Sequence, residues 1–210
     1  PLSIAKGSDG SIWTGTISNT LSVLRPGEKN FHYIKVFGDN YTFIPALLPI
    51  EDGGIIVAGM MNPLVIVYPD GTITKLPIDD EEFKSCIKYV EFVPTALAID
   101  KKGNLWIGTI SNGLLKYDTK LNKLSSLTDV IEVSDISSIR EDAYGYIWIS
   151  TIYGLFRLEP ESMEVRSFYQ YNGIGGNQFN ERSVCRIDQE KIVFGGTHGV
   201  TIFNPIDVKK

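Results

Sequence analysis

Short runs of apolar residues return along the chain at almost regular spacing, and each follows a turn signal that contains glycine. The clearest runs carry a tryptophan between aliphatic residues and close on a small residue and threonine; they occupy residues 12–16, 105–109 and 147–151. Two weaker copies without tryptophan occupy residues 56–60 and 192–196. Because neighbouring positions in each run are apolar, the pattern predicts strands that are buried on both faces.

The spacing of these runs predicts the fold class. A shared position can be aligned in all five copies, at intervals of 44, 49, 42 and 45 residues, and it holds Gly15, Gly59, Gly108, Ser150 and Gly195. A repeat of about 45 residues is the length of one four-stranded blade of a β-propeller. We therefore expect an all-β chain of about five four-stranded blades, at residues 1–40, 41–78, 92–128, 134–170 and 178–208.

Each repeat also has an internal order. A strand of small residues precedes the apolar run, as at 95–99 and 136–139, and predicts the innermost strand of its blade because small side chains suit a crowded axis. We expect structural roles for the apolar run, with indoles filling the space between blades and glycines at the shared position; these residues are Trp13, Trp106, Trp148, Gly108 and Gly195.

The two ends of the chain and one insertion depart from the regular repeat. Residues 1–6 align with an innermost strand, and only five residues follow Pro205, too few for the outer strand of a fifth blade. We expect a segment of a longer protein whose open blade edges favour self-association. The insertion at 79–91 contains the acidic run 79–82, which favours a solvated loop over a short helical turn.

Composition and charge exclude some function classes. The chain of 210 residues has 20 glycines, 10 prolines and a net charge of −5, which suits an all-β protein and argues against a nucleic-acid partner. No run of 18 apolar residues predicts a membrane span.

Candidate chemistry is sparse. His32 and His198 lie in non-equivalent positions of the repeat, so we expect no metal site and no cofactor. We expect Cys86 and Cys185 to be buried as small apolar side chains rather than joined in a disulfide. Carboxylates at the ends of inner strands could form a glycosidase pair, namely Asp135, Glu141, Glu181 and Asp188, but we expect no catalytic residue. Asp100, Asp188 and Glu51 are expected to be solvated at turns.

The loops that lead into the innermost strands are the best candidates for binding. The loop 172–182 and its flank combine aromatic rings with amide and guanidinium groups, a mixture that suits sugars; the candidate ligand-binding residues are Tyr169, Tyr171, Asn177, Gln178, Asn180 and Arg182. The alternative for Asn177 and Asn180 is a structural role in a glycine-rich loop.

Two segments resemble a known repeat family. Residues 104–109 with 112–114, and 145–151 with 154–155, resemble the two-component regulator propeller repeat. Residues 171–180 and 194–205 are similar to the last blade of the periplasmic sensor of hybrid two-component systems from carbohydrate-degrading gut bacteria. The resemblance implies a parent with two seven-bladed propellers, a following immunoglobulin-like domain, a membrane helix, a histidine kinase and a response regulator.

Two functions therefore remain open at this point. The first is a non-catalytic, periplasmic, ligand-sensing segment of an inner-membrane sensor histidine kinase, which responds to breakdown products of poly- or oligosaccharides. Its expected partners are a small carbohydrate, the missing blades and immunoglobulin-like domain of the parent, and a second copy of the segment. The alternative is a self-contained five-bladed propeller enzyme, either a glycosidase or a lyase.

Overall fold

The computed structural model describes residues 2–38, 42–62, 64–87, 91–187 and 190–208. The chain divides into two compact units, 1–80 with 89–94 and 81–88 with 95–210. Each unit is built from antiparallel sheets whose strands follow one another in chain order. The chain has the all-β fold of five consecutive β-propeller blades.

The first unit contains two four-stranded sheets. Blade 1 consists of β1 (Ser3–Lys6), β2 (Ile12–Gly15), β3 (Thr20–Leu24) and β4 (His32–Lys35). Blade 2 consists of β5 (Ala46–Pro49), β6 (Ile55–Ala58), β7 (Val65–Val67) and β8 (Ile73–Lys75).

The second unit contains three sheets. Blade 3 consists of β9 (Val93–Ile99), β10 (Leu105–Ile110), β11 (Leu114–Asp118) and β12 (Lys123–Ser126). Blade 4 consists of β13 (Ile136–Glu141), β14 (Ile147–Thr151), β15 (Leu155–Leu158) and β16 (Val165–Phe168). Blade 5 has three strands among the described residues, β17 (Phe179–Arg186), β18 (Ile192–Gly196) and β19 (Gly199–Phe203).

The turn between the first and second strands repeats with the same backbone geometry. Gly10, Gly53, Gly103 and Gly145 have φ between +87° and +92°. This region is strained for residues with a Cβ, so glycine sets the turn that returns the chain into the buried second strand.

The indoles lie in the cores formed by consecutive blades. Trp13, Trp106 and Trp148 are at most 1% exposed. Trp106 shares a core with Ile136 and Ile149 of blade 4, and Trp148 packs at 4.5 Å between ring centroids on Phe203 of blade 5. Each tryptophan therefore adds buried apolar area between two blades.

The shared glycine of the repeat is a point of close approach. A Cβ added at Gly108 would lie 2.6 Å from Ile136 Cγ2, and one added at Gly15 would lie 2.4 Å from the Ile44 carbonyl oxygen. Backbone of one blade thus contacts the next blade where the second strand ends.

Hydroxyl groups join the first strands of consecutive blades. Ser3 Oγ donates to the Ile44 carbonyl at 2.9 Å, and Ser137 Oγ donates to the Phe179 carbonyl at 3.1 Å. Thr95 Oγ1 donates to the Ile136 carbonyl in the same way. The small polar residues of these strands therefore position the start of the following blade.

The acidic insertion forms a helix, so the prediction of a solvated loop was wrong. Helix α1 spans Asp80–Cys86, with its acidic residues in the first turn, where the helix dipole favours them. Lys84 Nζ lies 2.7 Å from Glu81 Oε1, and the buried Cys86 thiol donates to the Leu124 carbonyl at 3.6 Å. Helix α1 is thus stabilised both by a local ion pair and by a tertiary contact at its last turn.

Candidate functional site

A cleft of about 570 Å³ opens in the second unit, where β13 and β17 begin. Three blades contribute to it through the ends of second strands and the starts of first strands. The lining residues are Ile110, Asp135, Ile136, Ser137, Ile152, Phe179, Asn180, Glu181 and Arg182. The volume is that of a small-molecule pocket.

A bulge in β17 carries the polar wall of this cleft. Phe179 pairs with Gly196, and Val184 pairs with Phe194, so residues 180–183 oppose the single residue Gly195. Arg182 adopts a left-handed conformation with φ of +58°, which is unusual for a residue with a side chain. Bulges and such conformations are enriched at binding sites because they redirect side chains.

The bulge places an ion pair and an amide beside each other. Arg182 Nη2 lies 3.0 Å from Glu181 Oε2, and both side chains are partly exposed. Asn180 precedes them and is exposed to solvent. The wall therefore offers both donors and acceptors to a polar ligand.

Asp135 adds a second polar part to the lining of the cleft. Its Oδ1 accepts a hydrogen bond from Ser111 N at 3.2 Å, and its Oδ2 accepts one from Ser134 Oγ at 2.8 Å. Ser111 has φ of +69°, so the turn of blade 3 is held in a conformation that directs its amide at this carboxylate.

Apolar side chains complete the cleft. Ile110 and Ile152 occupy the same position in consecutive repeats, directly after the threonine of the apolar run, and Ile152 is 41% exposed. Phe179, which is buried, lies at the base of the bulge. Exposed aliphatic groups beside polar ones suit a ligand with apolar faces and hydroxyl edges.

The predicted ligand-binding residues fall into two groups. Asn180 and Arg182 line the cleft, whereas Tyr169, Tyr171, Asn177 and Gln178 do not. Asn177 Oδ1 accepts a hydrogen bond from Gln170 N at 2.7 Å, as the structural alternative for this residue requires. Gln178 lies beside Thr197, whose amide donates to the Gln178 carbonyl at 3.1 Å.

The two tyrosines form a separate aromatic surface. Their ring centroids are 5.4 Å apart, with 31° between the ring planes, and Tyr171 is 82% exposed. Tyr169 also meets Phe156 edge-on at 6.5 Å. This pair could stack on a sugar ring, but it is not part of the cleft wall.

The candidate carboxylates are distributed over both ends of the strands. Asp135 and Glu181 line the cleft, whereas Glu141 lies at the other end of β13; Asp188 lies outside the described residues. Burial raises the pKa of the Glu141 carboxyl, and a hydrogen bond from Lys101 N opposes this shift. Glu141 therefore belongs to a different environment from the cleft.

Two expectations about single side chains were wrong. Asp100 is 5% exposed rather than solvated, because its Oδ2 accepts hydrogen bonds from Asn104 Nδ2 at 2.8 Å and Trp106 Nε1 at 2.9 Å. Cys185 is exposed rather than buried, because it lies on the open part of β17; both cysteines are free thiols. An aspartate six residues before both Trp106 and Trp148 is the sequence signal that would have predicted the burial of Asp100.

Neither a metal-binding cluster nor a membrane-spanning helix occurs among the described residues. Across the described ranges, no group of three or more His, Cys, Asp or Glu side chains is arranged to hold a metal ion. In the same part of the chain, no helix has the length and apolar character needed to cross a membrane.

Two segments of the chain match a known family of repeats. The family model for the two-component regulator propeller matches residues 91–111 and 131–153. A histidine kinase, P4, from Formosa agariphila is 29% identical over 75 residues, which cover 36% of this chain and 6% of the relative. The chain therefore spans a small part of that relative's length.

Solved structures with similar folds include extracellular domains of a two-component and a one-component system, and a lyase. The extracellular domain of a hybrid two-component system from B. thetaiotaomicron has a TM-score of 0.68 and 18% identity, over 96% of this chain and 33% of that one. The extracellular domain of a one-component system from the same organism has a TM-score of 0.69 and 17% identity, over 95% and 26%. Virginiamycin B lyase from Staphylococcus aureus has a TM-score of 0.60 and 17% identity, over 96% and 68%.

At these identities the structural likeness establishes the fold alone, and the family match adds the kind of repeat. The matched segments span the first two strands of blades 3 and 4 and end just after Ile110 and Ile152. Residues 91–111 and 131–153 therefore match the two-component regulator propeller repeat.

Proposed function

We propose that this segment is a non-catalytic, ligand-sensing part of a hybrid two-component sensor histidine kinase, which lies on the periplasmic side of the inner membrane. The family of the repeats and the fold of the extracellular sensor domains support this proposal. The ligand class is a poly- or oligosaccharide breakdown product.

The cleft is the observation that carries the proposal. It places the Asn180 amide, the Asp135 carboxylate and the Arg182 guanidinium around one cavity, with two isoleucines at its edge. Sugars present hydroxyl groups that need both donors and acceptors, and apolar ring faces that need aliphatic or aromatic contacts. The cavity supplies all of these, and an ion pair already holds the guanidinium in place.

The segment after β19 is where a signal would leave the blade. Asn204 Oδ1 accepts from Ile206 N at 3.2 Å and caps the 3-10 turn Pro205–Asp207, and Arg157 Nη1 donates to the Val208 carbonyl at 3.3 Å. Blade 4 therefore contacts the segment that follows blade 5.

Calorimetric titration with a panel of xylo-, arabino-, malto-, fructo- and galacturono-oligosaccharides tests the proposal. We expect one class to bind, and we expect Asn180→Ala to weaken binding about tenfold or more through the loss of buried hydrogen bonds. Tyr171→Ala is the matched control, because Tyr171 lies outside the cleft. A loss of affinity with Tyr171→Ala alone would move the site to the tyrosine pair. The absence of binding by every saccharide would contradict the ligand class.

One observation supports the enzyme as a second candidate. Asp135 and Glu181 line the same cleft, and two carboxylates at one cavity are the minimum for glycoside hydrolysis. Both already have partners that position them, in Ser111 N and Arg182. The same oligosaccharides should be recovered intact after incubation with the segment; turnover that disappears in both Asp135→Asn and Glu181→Gln would establish the enzyme instead.

A further inference from the structure

Arg140 is a half-buried cation without a partner in the part of the chain that the structure describes. It lies on β13, one residue before Glu141, and its guanidinium makes no hydrogen bond or ion pair with any described residue. A guanidinium removed from water ordinarily acquires a carboxylate or a set of carbonyl acceptors. The missing counter-charge at Arg140 therefore needs an explanation.

A second arginine lies on the neighbouring first strand. Arg186 Nη2 donates to the Glu141 carbonyl at 2.6 Å, which brings the end of β17 over the end of β13. Burial, and then the positive charge of Arg186, lower the pKa of Arg140. The two guanidinium groups thus repel each other, and no described carboxylate offsets this repulsion at Arg140.

The acidic residue next to Arg140 in the sequence, Glu141, has another partner. Glu141 Oε1 accepts a hydrogen bond from Lys101 N at 3.0 Å, and Lys101 also reaches the Ala143 carbonyl. The Glu141 carboxylate therefore hydrogen-bonds towards blade 3, and the hydrogen bond from Arg186 goes to the main-chain oxygen of Glu141, although the positive charge of Arg186 also lowers the pKa of the carboxyl. This leaves a local excess of positive charge on the flank of β13 and β17.

We propose that Arg140 and Arg186 form a binding site for an oxyanion group, such as phosphate, sulfate or a carboxylate. Planar guanidinium groups match such anions through paired hydrogen bonds. The site is separate from the cleft, because Arg140 follows the cleft residue Ile136 by four positions, about 13 Å along an extended strand. It is independent of the saccharide proposal, since neither arginine lines the cleft.

Thermal unfolding in matched salts gives the first test. At constant ionic strength, replacing chloride by inorganic phosphate or sulfate should raise the melting temperature of the wild type, since a ligand that binds only the folded state stabilises it. Arg140→Gln and Arg186→Gln should abolish the increase. Arg166→Gln, an arginine replaced on the outer strand β16, should retain it.

The order of stabilities in the absence of the anion sharpens this test. In chloride, Arg140→Gln should melt at or above the wild-type temperature, because it removes an uncompensated charge. In saturating phosphate the wild type should have a higher melting temperature than Arg140→Gln. Equal shifts in all four proteins, or an Arg140→Gln protein that is less stable by the same amount in both salts, would overturn the proposal.

Labelling of Cys185 gives a second readout that does not depend on stability. Cys185 is exposed next to Arg186, whereas Cys86 is buried, so iodoacetamide should modify Cys185 selectively. Bound phosphate should slow this alkylation several-fold in the wild type but not in Arg140→Gln. An unchanged rate in the wild type would show that no anion occupies the site.

The source of the anion is distinguished by the ligands used. Inorganic phosphate and sulfate alone represent a free oxyanion, and glucuronate represents a carboxylate carried on a sugar, with glucose as its neutral control. Protection by glucuronate at lower concentration than phosphate would assign the site to acidic saccharides. Protection by phosphate or sulfate alone would assign it to a free oxyanion, and protection by none of them contradicts the site.

Discussion

The Asp142 carboxylate accepts a hydrogen bond from Trp148 Nε1 at 2.8 Å, at a position where both side chains are only 1% exposed. The other oxygen of Asp142 accepts from Tyr144 N and Tyr146 N. One carboxylate thus closes the first turn of blade 4 and satisfies the only polar atom of the buried indole side chain. Asp100 serves Trp106 in the same way in blade 3.

Loss of this carboxylate should destabilise the second unit. We expect Asp142→Ala to lower the free energy of unfolding by about 2–4 kcal/mol, because it leaves a buried indole N–H and two turn amides without their acceptor. Urea titration measures the change. Asp118→Ala is the control, because Asp118 accepts from Lys120 N and Leu121 N in an exposed turn, and it should cost less. Equal losses would show that burial of the indole N–H contributes nothing.

Trp13 reveals what the repeat lacks in blade 1. Its Nε1 is buried without a hydrogen-bond partner among the described residues, and the position six residues earlier is Gly7. Asp9 instead accepts from Ser11 N at 2.9 Å and Ser11 Oγ at 2.7 Å. A Cβ on Gly7 would lie 3.2 Å from Trp13 Nε1 but 2.7 Å from Asp9 Oδ1.

Transfer of the turn of blade 3 to blade 1 should therefore be stabilising. We expect Gly7→Asp combined with Asp9→Lys to raise the free energy of unfolding by about 1–2 kcal/mol through the new acceptor for Trp13. Asp9→Lys alone should be destabilising because Ser11 loses its acceptor. Thermal melts of the double variant and of both single variants decide the matter; a double variant that melts below the wild type would contradict the role assigned to the aspartate.

The stability of the chain should respond to pH through Glu141. Burial raises the pKa of this carboxyl above its ordinary value of 4.5, and the negative charge of Asp100 raises it further by a smaller amount. Lys101 and Arg186 lower the pKa and so oppose this shift. Its ionisation therefore costs the folded state. The stabilising contribution of protonated Glu141 is fully present below the pKa that this carboxyl has in the unfolded state. It is lost as the pH rises through the higher pKa of the folded state.

Glu141→Gln should remove this decline, since glutamine still accepts from Lys101 N. We expect the melting temperature of Glu141→Gln to rise relative to that of the wild type as the pH is raised from about 4 to about 7. Asp118→Asn should show the opposite trend, because hydrogen bonds from Leu121 N and Lys120 N lower the pKa of Asp118 and make its ionised form stabilising. Parallel melting curves for Glu141→Gln and the wild type at every pH would refute the assignment.

We propose that the open face of blade 5 promotes self-association. Val200 pairs with Gly195 as Leu114 pairs with Gly108, yet Val200 is 60% exposed whereas Leu114 is fully buried. β19 also pairs on one side only among the described strands. A second copy would cover this edge and its apolar side chains.

Light scattering at tens of micromolar should show association of the wild-type segment and a monomer for Val200→Lys combined with Ile202→Lys. Ile73→Lys, on the outer strand β8, is the control and should leave the association unchanged. A wild-type segment that is strictly monomeric, with unfolding independent of concentration, would rule the interface out.

Much of the fold was determined by the sequence itself. Residues such as Trp106 and Gly108 recur at the spacing of one blade. Buried apolar runs alternate with glycine turns, and this local pattern predicts the sheets because strands adjacent in sequence pair with each other. The five blades and the order of their strands follow from this pattern. Two of the six candidate ligand residues, Asn180 and Arg182, also proved to lie at the cleft.

Other features were decided only by the tertiary structure. The bulge at 180–183 depends on how β17 pairs with β18. The polar residues of this segment do not specify the register of that pairing. Helix α1 depends in part on burial of Cys86 against β12, and Asp135 lines the same cleft as the bulge because consecutive blades join their first strands. The last two relationships connect residues about 40 positions apart, where local propensity carries no information and packing between blades selects the arrangement.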